Sequence, residues 1–525
     1  MKIKKRKILF LSVILLFGFA LRLYFAASLK SIWLDEATWI KTSGNGFLNL
    51  MSGNYRDFTV HPFIPYLVIK IFHLFGADES GLRIPFLLFS LLSVILVYLI
   101  SKELFGKERI ALTAMLLFSF SAYNIRFSPE IKYLSLLLLF ELISLTYYLK
   151  IINGIKKRSI IRKNYFLFVI FSTLSFLTDY SFVWLYAVFW LFLIYLLFKN
   201  RKSTTDLSFR NYPPLILSLI SVPLMLTYWI FRFVFSLNTD FPTIDYIVKP
   251  KIYDIIEALL AFLTYFDHNY AVGVSRSEDW YQLLSLFVSN LKSAGKIYYW
   301  SHYLFLGLFI LLLIINRKKL LKDKLPLVLT VTVFPLASSF VTSIYLVPIF
   351  IHYNIMIVQS GLVILMACSV FGKRVIGASV LIAYLVLNTS GYYFLLKSGT
   401  FQNYKKIIKF IDFQNRDNGS LILVIPDYHM NALEYYEKGR INSQIVMALD
   451  SNEDFDDQYI SEIKNNILGK NQVCFVVDPG YIDTRITRTV SEFLEKNFSQ
   501  IKEPKEFTGF SVKCFSSNKL NENKL

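Results

Sequence analysis

Apolar runs of about 20 residues recur along the first 400 positions of the chain. A helix of that length crosses the ~30 Å of hydrocarbon in a bilayer. Eleven such spans are predicted, at 8–27, 83–101, 110–126, 131–149, 165–178, 180–198, 213–236, 298–315, 326–347, 353–371 and 375–396. The stretch from His61 to Gly76 is nearly as apolar, but it has only 16 residues and holds Pro62, Pro65, Lys70 and His73. It is expected to lie at the interface or to re-enter. Past residue 396 the pattern changes. Ser420–Pro426 and Gln472–Asp478 have buried-strand patterns, while Tyr404–Phe413 and Ile486–Phe498 have helical spacing. Alternation of this kind predicts a small α/β domain. The expected fold is mainly α: a polytopic membrane domain over 1–396, then an α/β domain over 397–525.

The composition agrees. The chain is 55% hydrophobic and only 18% charged, against ~25% charged in soluble domains. That excludes a disordered chain and an ordinary cytosolic enzyme. The net charge of +19 suggests nucleic acid until it is located. Residues 1–396 hold 39 basic and 19 acidic residues, and 397–525 hold 17 and 18. The N-terminus and the stretches 102–109, 150–163, 199–210, 317–324 and 373–374 carry 25 Lys and Arg between them. Short basic loops of this kind are cytoplasmic, so no nucleic acid partner is expected and the bilayer is the first partner. The first span is read as uncleaved, with its N-terminus inside. Residues 28–82 and 237–297 then form long outer loops, and the tail is extracytoplasmic. A crossing at His61–Gly76 would turn every later basic loop outward. Three cysteines do not make a disulfide framework. Cys368 lies in an apolar run. Pairing of Cys474 with Cys514 requires an extracytoplasmic tail, and the sequence leaves it open.

Candidate chemistry collects at outer span ends. Trp33-Leu34-Asp35-Glu36-Ala37 sets two adjacent carboxylates just past the first span. The competing account is a solvated loop with an interfacial Trp. His61-Pro62 follows. Arg126-Phe-Ser-Pro-Glu130-Ile-Lys132-Tyr133 puts one carboxylate and two cations in a short outer loop, where snorkelling side chains are the plainer account. Arg83 begins the second span. Arg22, Arg232 and Glu141 lie within spans, where a charge usually faces a partner or a polar cavity. His352-Tyr353 sits at the outer mouth of the tenth span, and a lone His is more often structural than a ligand. Asp454-Phe-Asp456 has the D-x-D spacing of nucleotide-sugar enzymes, but it sits in the acidic run 453–457 and reads as solvated surface. No G-x-x-x-x-G-K-[ST], H-E-x-x-H, G-x-S-x-G or paired C-x-x-C occurs, so ATP-driven transport, zinc proteolysis and serine hydrolysis lose their usual signals.

In this order the pieces resemble the GT-C glycosyltransferases, in particular the dolichyl-phosphate-mannose–protein mannosyltransferases (glycosyltransferase family 39) and their bacterial aminoarabinose-transferase relatives. Asp35-Glu36 is similar to the Asp-Glu pair of that family's first outer loop. His61-Pro62-Phe63-Ile64 is similar to its His-Pro-Pro-Leu segment, without the second Pro. Arg83-Ile84-Pro85 is similar to its Arg-Leu-Pro start of the second span. Ser128-Pro-Glu130-Ile-Lys132-Tyr133 is similar to Ser-Gln-Glu-Ala-Arg-x-Tyr, with Lys for Arg, which loses a bidentate phosphate ligand. His352-Tyr353 stands where the family has Arg-Tyr. Tyr404–Tyr436 is similar to the family's extracytoplasmic α/β domain.

The resemblance implies transfer of a sugar from a polyprenyl-phosphate donor to an extracytoplasmic acceptor, which is a protein, lipid A or a cell-surface glycan. A donor phosphate at headgroup depth needs carboxylates and cations at outer span ends. Asp35 is then the expected general base, and Glu36 or His61 assists it or binds a divalent metal ion. Glu130 orients the acceptor or holds the metal. Lys132 and Arg83 contact the phosphate, and Tyr133, His352 and Tyr353 line the substrate site. The alternatives are a lipid-linked glycan ligase or polymerase, a flippase or transporter, and a non-catalytic scaffold. A transporter would show an inverted repeat and polar stripes within several spans, and the sequence has neither.

Overall fold

The computed structural model describes residues 2–29, 31–52, 61–156, 161–200, 212–231, 249–265, 294–316, 325–345, 350–371, 374–398, 403–414, 421–437, 445–448, 457–468, 470–478, 484–501, 504–507 and 510–517. Arg232, Pro348 and the Asp454-Phe-Asp456 motif lie outside them. By contacts the chain divides into two compact units. The helical unit comprises 1–26, 47–68 and 81–395, and the tail unit comprises 27–46, 69–80 and 396–525.

The elements up to residue 200 are helices α1 (Lys2–Ser28), α2 (Leu34–Ser43), α3 (Phe47–Ser52), α4 (Ile64–Leu74), α5 (Glu79–Phe105), α6 (Glu108–Phe120), α7 (Ala122–Phe127), α8 (Leu134–Lys156), α9 (Arg162–Phe176) and α10 (Phe182–Asn200). Next come α11 (Pro213–Met225), α12 (Ile252–Thr264), α13 (Ala294–Ile315), α14 (Leu325–Tyr345), α15 (Ile357–Val370) and α16 (Arg374–Ser398). Each predicted span falls wholly or largely on a helix. Among the described residues, five helices are long and apolar enough to cross a membrane, within α1, α5, α8, α14 and α16. The segment predicted not to cross holds α4, a helix of 11 residues. At 1.5 Å per residue it is about 16 Å long, roughly half the hydrocarbon thickness.

One predicted span is two helices. The run 110–126 breaks at Ser121, which ends α6 with an extended ψ of 116° and opens α7, its hydroxyl accepting from Asn124 N–H. The Ala122 N–H left over by the break is taken by the Asn388 side chain of α16, at 2.8 Å. The Gln359 amide of α15 also donates to the Ser121 hydroxyl. Polar groups freed in an apolar surround must find partners within the protein, and here two amide side chains supply them. Helix α15 is buried at every position and packs against α6 and α14. Gly361 permits this approach, because a Cβ there would lie 2.2 Å from the Thr332 hydroxyl of α14.

The tail unit continues with α17 (Tyr404–Gln414), β1 (Leu421–Ile425), α18 (Met430–Glu437), β2 (Ile445–Ala448), α19 (Asp457–Leu468), β3 (Gln472–Val477), α20 (Arg485–Asn497), β4 (Ser499–Gln500), β5 (Lys505–Phe507) and β6 (Phe510–Ser516). The sheet order is β2-β1-β3-β6-β4, with β5 paired to β6. Strands β2, β1 and β3 are parallel, and β6 runs antiparallel to β3. Every residue of β1 and β3 is buried, as expected of strands covered on both faces. Leu421, Leu423, Ile425, Val473, Phe475 and Val477 form one apolar cluster with Ile463 and Ile467 of α19 and Ile486, Val490 and Leu494 of α20. Cys474 and Cys514 face each other across β3 and β6 and form a disulfide.

Candidate functional site

The residues singled out from sequence fall in both units. In the tail unit, α2 begins directly after Trp33, and Asp35 and Glu36 occupy its first turn. Acidic residues are favoured there by the helix dipole. The two carboxylates are not equivalent. Glu36 is fully buried, and its Oε2 accepts from the Trp33 N–H at 3.2 Å. A Glu at this third helical position reaches back to the residue before the helix, as in a capping box. Asp35 is half-buried. One carboxylate therefore shapes the helix start, and its neighbour keeps an accessible edge.

In the helical unit, four loops that are distant in sequence form one polar and aromatic cluster. His61 donates from Nδ1 to Asp179 Oδ2 at 2.9 Å. The other Asp179 oxygen accepts from the Ser181 N–H at 2.9 Å. The same turn is fixed to the start of α4 by Ile64 N–H donating to Leu177 O. A carboxylate held on both oxygens fixes the ring orientation and the tautomer of its histidine partner. The His61 ring lies 5.0 Å from the Tyr133 ring, and the Tyr133 hydroxyl donates to Asn354. Lys132 is buried, with its ammonium 4.9 Å from the centre of the Tyr353 ring, a cation–π contact. His352 Nδ1 is 3.1 Å from the Tyr123 hydroxyl. Arg83 is buried and donates to Pro129 O at 3.3 Å, fixing the loop that carries Glu130 and Lys132. Glu130 is ion-paired with Arg126.

His61, Arg83, Glu130, Lys132, Tyr133, His352 and Tyr353 are thus brought together within the helical unit, while Asp35 and Glu36 belong to the tail unit. Sequence reasoning missed Asp179 and Asn354. Asp179 is a single acid between two apolar runs, and Asn354 is an uncharged residue beside a named pair. Their only sequence signal was position at an outer span end. Arg126, for which snorkelling is the plainer sequence account, pairs with Glu130. Among the described residues, no three His, Cys, Asp or Glu side chains group to hold a metal ion. Of the three residues expected to hold one, Glu36 is bonded to the Trp33 backbone, His61 to Asp179 and Glu130 to Arg126.

Residues 60–231, about a third of the chain, match the family described as dolichyl-phosphate-mannose-protein mannosyltransferase. That stretch includes His61, Arg83, Glu130, Lys132, Tyr133 and Asp179. No curated protein matches the chain by sequence. Among solved structures, the chain is similar to ArnT from Cupriavidus metallidurans bound to undecaprenyl phosphate, with a TM-score of 0.56 at 13% identity over 97% of each chain. The apo state of that ArnT gives 0.50 at 13% identity over 98% of each chain. The archaeal oligosaccharyltransferase AglB from Archaeoglobus fulgidus, in complex with an inhibitory peptide and a dolichol-phosphate, gives 0.52 at 11% identity over 97% of this chain and 74% of that one. The fold is thus similar to that of ArnT and of AglB.

Proposed function

We propose that the chain is a glycosyltransferase that moves a sugar from a polyprenyl-phosphate carrier to an acceptor hydroxyl of a protein, lipid A or cell-surface glycan on the extracytoplasmic face. The observation that carries the reading is the set of outer-loop residues gathered in the helical unit, with a buried lysine and an aspartate-fixed histidine, in a fold similar over 97% of its length to ArnT bound to undecaprenyl phosphate. The orientation is supported by two facts. Residues 27–46 and 396–525 belong to one compact unit, which fits a first loop and a tail on the same side of the bilayer. The Cys474–Cys514 disulfide fits an oxidising compartment.

In this reading Asp35 takes the proton of the acceptor, whose heteroatom attacks the anomeric carbon. The bond from that carbon to the phosphate oxygen breaks, and the polyprenyl phosphate leaves with the electron pair. Attack opposite the leaving group inverts the anomeric centre. Phosphate leaves readily, so the main demand is stabilisation of its charge. Lys132 and Arg83 supply positive charge. His61, held by Asp179, assists Asp35. Glu130, committed to Arg126, keeps the 126–133 loop in shape.

The test is transfer from undecaprenyl-phosphate-linked sugars in membranes carrying Asp35→Asn at wild-type expression. A general base contributes about 10²–10⁴-fold, so turnover should fall by that factor. Near-normal turnover removes Asp35 from the role. Mass spectrometry of surface lipids, glycans and proteins in a deletion strain identifies the acceptor, and a polymeric rather than single-sugar product would favour the ligase alternative.

A further inference from the structure

Helix α2 carries the Asp35-Glu36 pair on only 10 residues. Isolated helices shorter than about 12–15 residues are marginal in water, so its position must come from what it packs against. Within the tail unit it is gripped at three levels. At its start, the Ile32 N–H donates to the Tyr436 hydroxyl of α18 at 2.6 Å, and that hydroxyl donates onward to Glu79 Oε2 at 2.9 Å. Glu79 is in turn 3.6 Å from the Lys405 ammonium of α17. In its middle, Asn431 of α18 donates to the Thr38 hydroxyl at 3.1 Å. Thr38 is three residues past Asp35, on the same side of the helix. One turn further, Lys41 donates to Asn431 Oδ1 at 2.8 Å and is paired with Glu434 at 3.0 Å. At its end, Lys70 donates to the carbonyls of Ser43 and Asn45 at 3.3 and 2.8 Å, the usual way a lysine satisfies the last carbonyls of a helix.

We infer that the C-terminal α/β domain is a clamp for the catalytic loop, with Tyr436 as the positioning residue that fixes the start of α2 and hence the placement of Asp35. The inference rests on the reading of Asp35 as the base. The phenol suits the task because it accepts and donates at once. The donation to Glu79 orients the oxygen lone pair toward the Ile32 N–H, and bonds in such a chain strengthen each other. Burial, with the Glu79 carboxylate alongside, holds the Tyr436 phenol well above its ordinary range. It therefore stays protonated and keeps donating at any physiological pH. With this role the tail domain is a point of control, because whatever shifts α18 shifts the base.

The experiment uses the full-length protein in nanodiscs and has two readouts. Tyr436→Phe removes only the hydroxyl. Hydrogen exchange of the 31–43 peptide should speed up at least 10-fold, while peptides from β1 and β3 keep wild-type protection. Turnover of undecaprenyl-phosphate-linked sugars should fall about 10-fold with an unchanged KM for the donor, because a displaced base slows chemistry without weakening binding. Wild-type exchange in 31–43 together with wild-type turnover would overturn the clamp. If Tyr436→Phe also loosens the sheet, Asn431→Ala decides. It deletes the Thr38 and Lys41 contacts from a half-buried position of the same helix. Faster exchange in α2 over an intact sheet supports the clamp, and an unchanged α2 overturns it. Asp35→Asn run alongside separates the two claims. If it keeps full turnover, the assignment of the base fails, while the exchange data still judge the clamp.

Discussion

The helical unit buries Arg22, Glu141, His302, Gln359 and Asn388 and turns Leu16, Leu224 and Phe231 outward. The α/β part of the tail unit also buries polar groups, His429 among them, but it turns its large hydrophobic side chains inward. Its centre is the apolar cluster around Leu423, Phe475 and Val490, and among its described residues the one large hydrophobic side chain that is exposed is Leu468. The difference follows from the solvent. Helices facing lipid gain little by hiding leucine from it, so packing and interhelical hydrogen bonds hold them together. A domain facing water is held by the apolar area it removes from water. Both units use buried polar contacts, but only the α/β part of the tail unit is centred on an apolar cluster with its large hydrophobic side chains turned inward.

The sharpest way to break this comparison is a cavity in the tail. Phe475 is buried at the centre of the cluster. Phe475→Ala should cost about 3–5 kcal/mol of local stability. Hydrogen exchange of the full-length protein reads the effect in peptides 421–425 and 472–477, and peptides of α8 and α15 should be unchanged. Equal loosening of both units would mean that they do not differ in the way described.

The corresponding lesion in the helical unit is polar. Arg22 is wholly buried, with Nε donating to Ser90 at 3.0 Å, one amino group donating to the carbonyls of Gly18 at 2.9 Å and Ser119 at 3.1 Å, and the other bonded to Asn124. Its guanidinium ties α1, α5, α6 and α7 together. Arg22→Leu adds apolar surface yet leaves those acceptors without their donor, and should destabilise by about 2–4 kcal/mol. Thermal unfolding in detergent measures it. A neutral or stabilising result would show that hydrophobicity alone holds these helices.

The same contrast explains what could be read from the sequence. The spans were legible because hydropathy is a property of runs, and the tail strands 421–425 and 472–477 because a buried strand is a short apolar run. The break at Ser121 was not legible. It depends on Asn388, 266 residues from Ala122, supplying the missing acceptor. Within the candidate site, Asp35, Glu36, His61 and Lys132 stood out by charge and placement, as local features do. Asp179 and Tyr436 did not, because their roles come from partners 118 and 404 residues away. Long-range pairs of single polar side chains carry no periodic signal.

The smallest expected effect sharpens the comparison most. On the tail surface the Lys513 ammonium lies 3.3 Å from Glu495. By distance alone this contact resembles the bond from Arg22 to Ser90. The Glu495 side chain is 54% exposed, however, whereas Arg22 is fully enclosed. Water solvates either partner of the outer pair when the other is removed, and holding two long side chains in one geometry costs entropy. Lys513→Ala should therefore change stability by less than about 0.5 kcal/mol, with no loss of protection in β6. Arg22→Leu, which removes contacts of similar length, should cost several times more. If the two substitutions had equal effects, contact geometry and not the surrounding medium would set the strength of polar pairs in this protein.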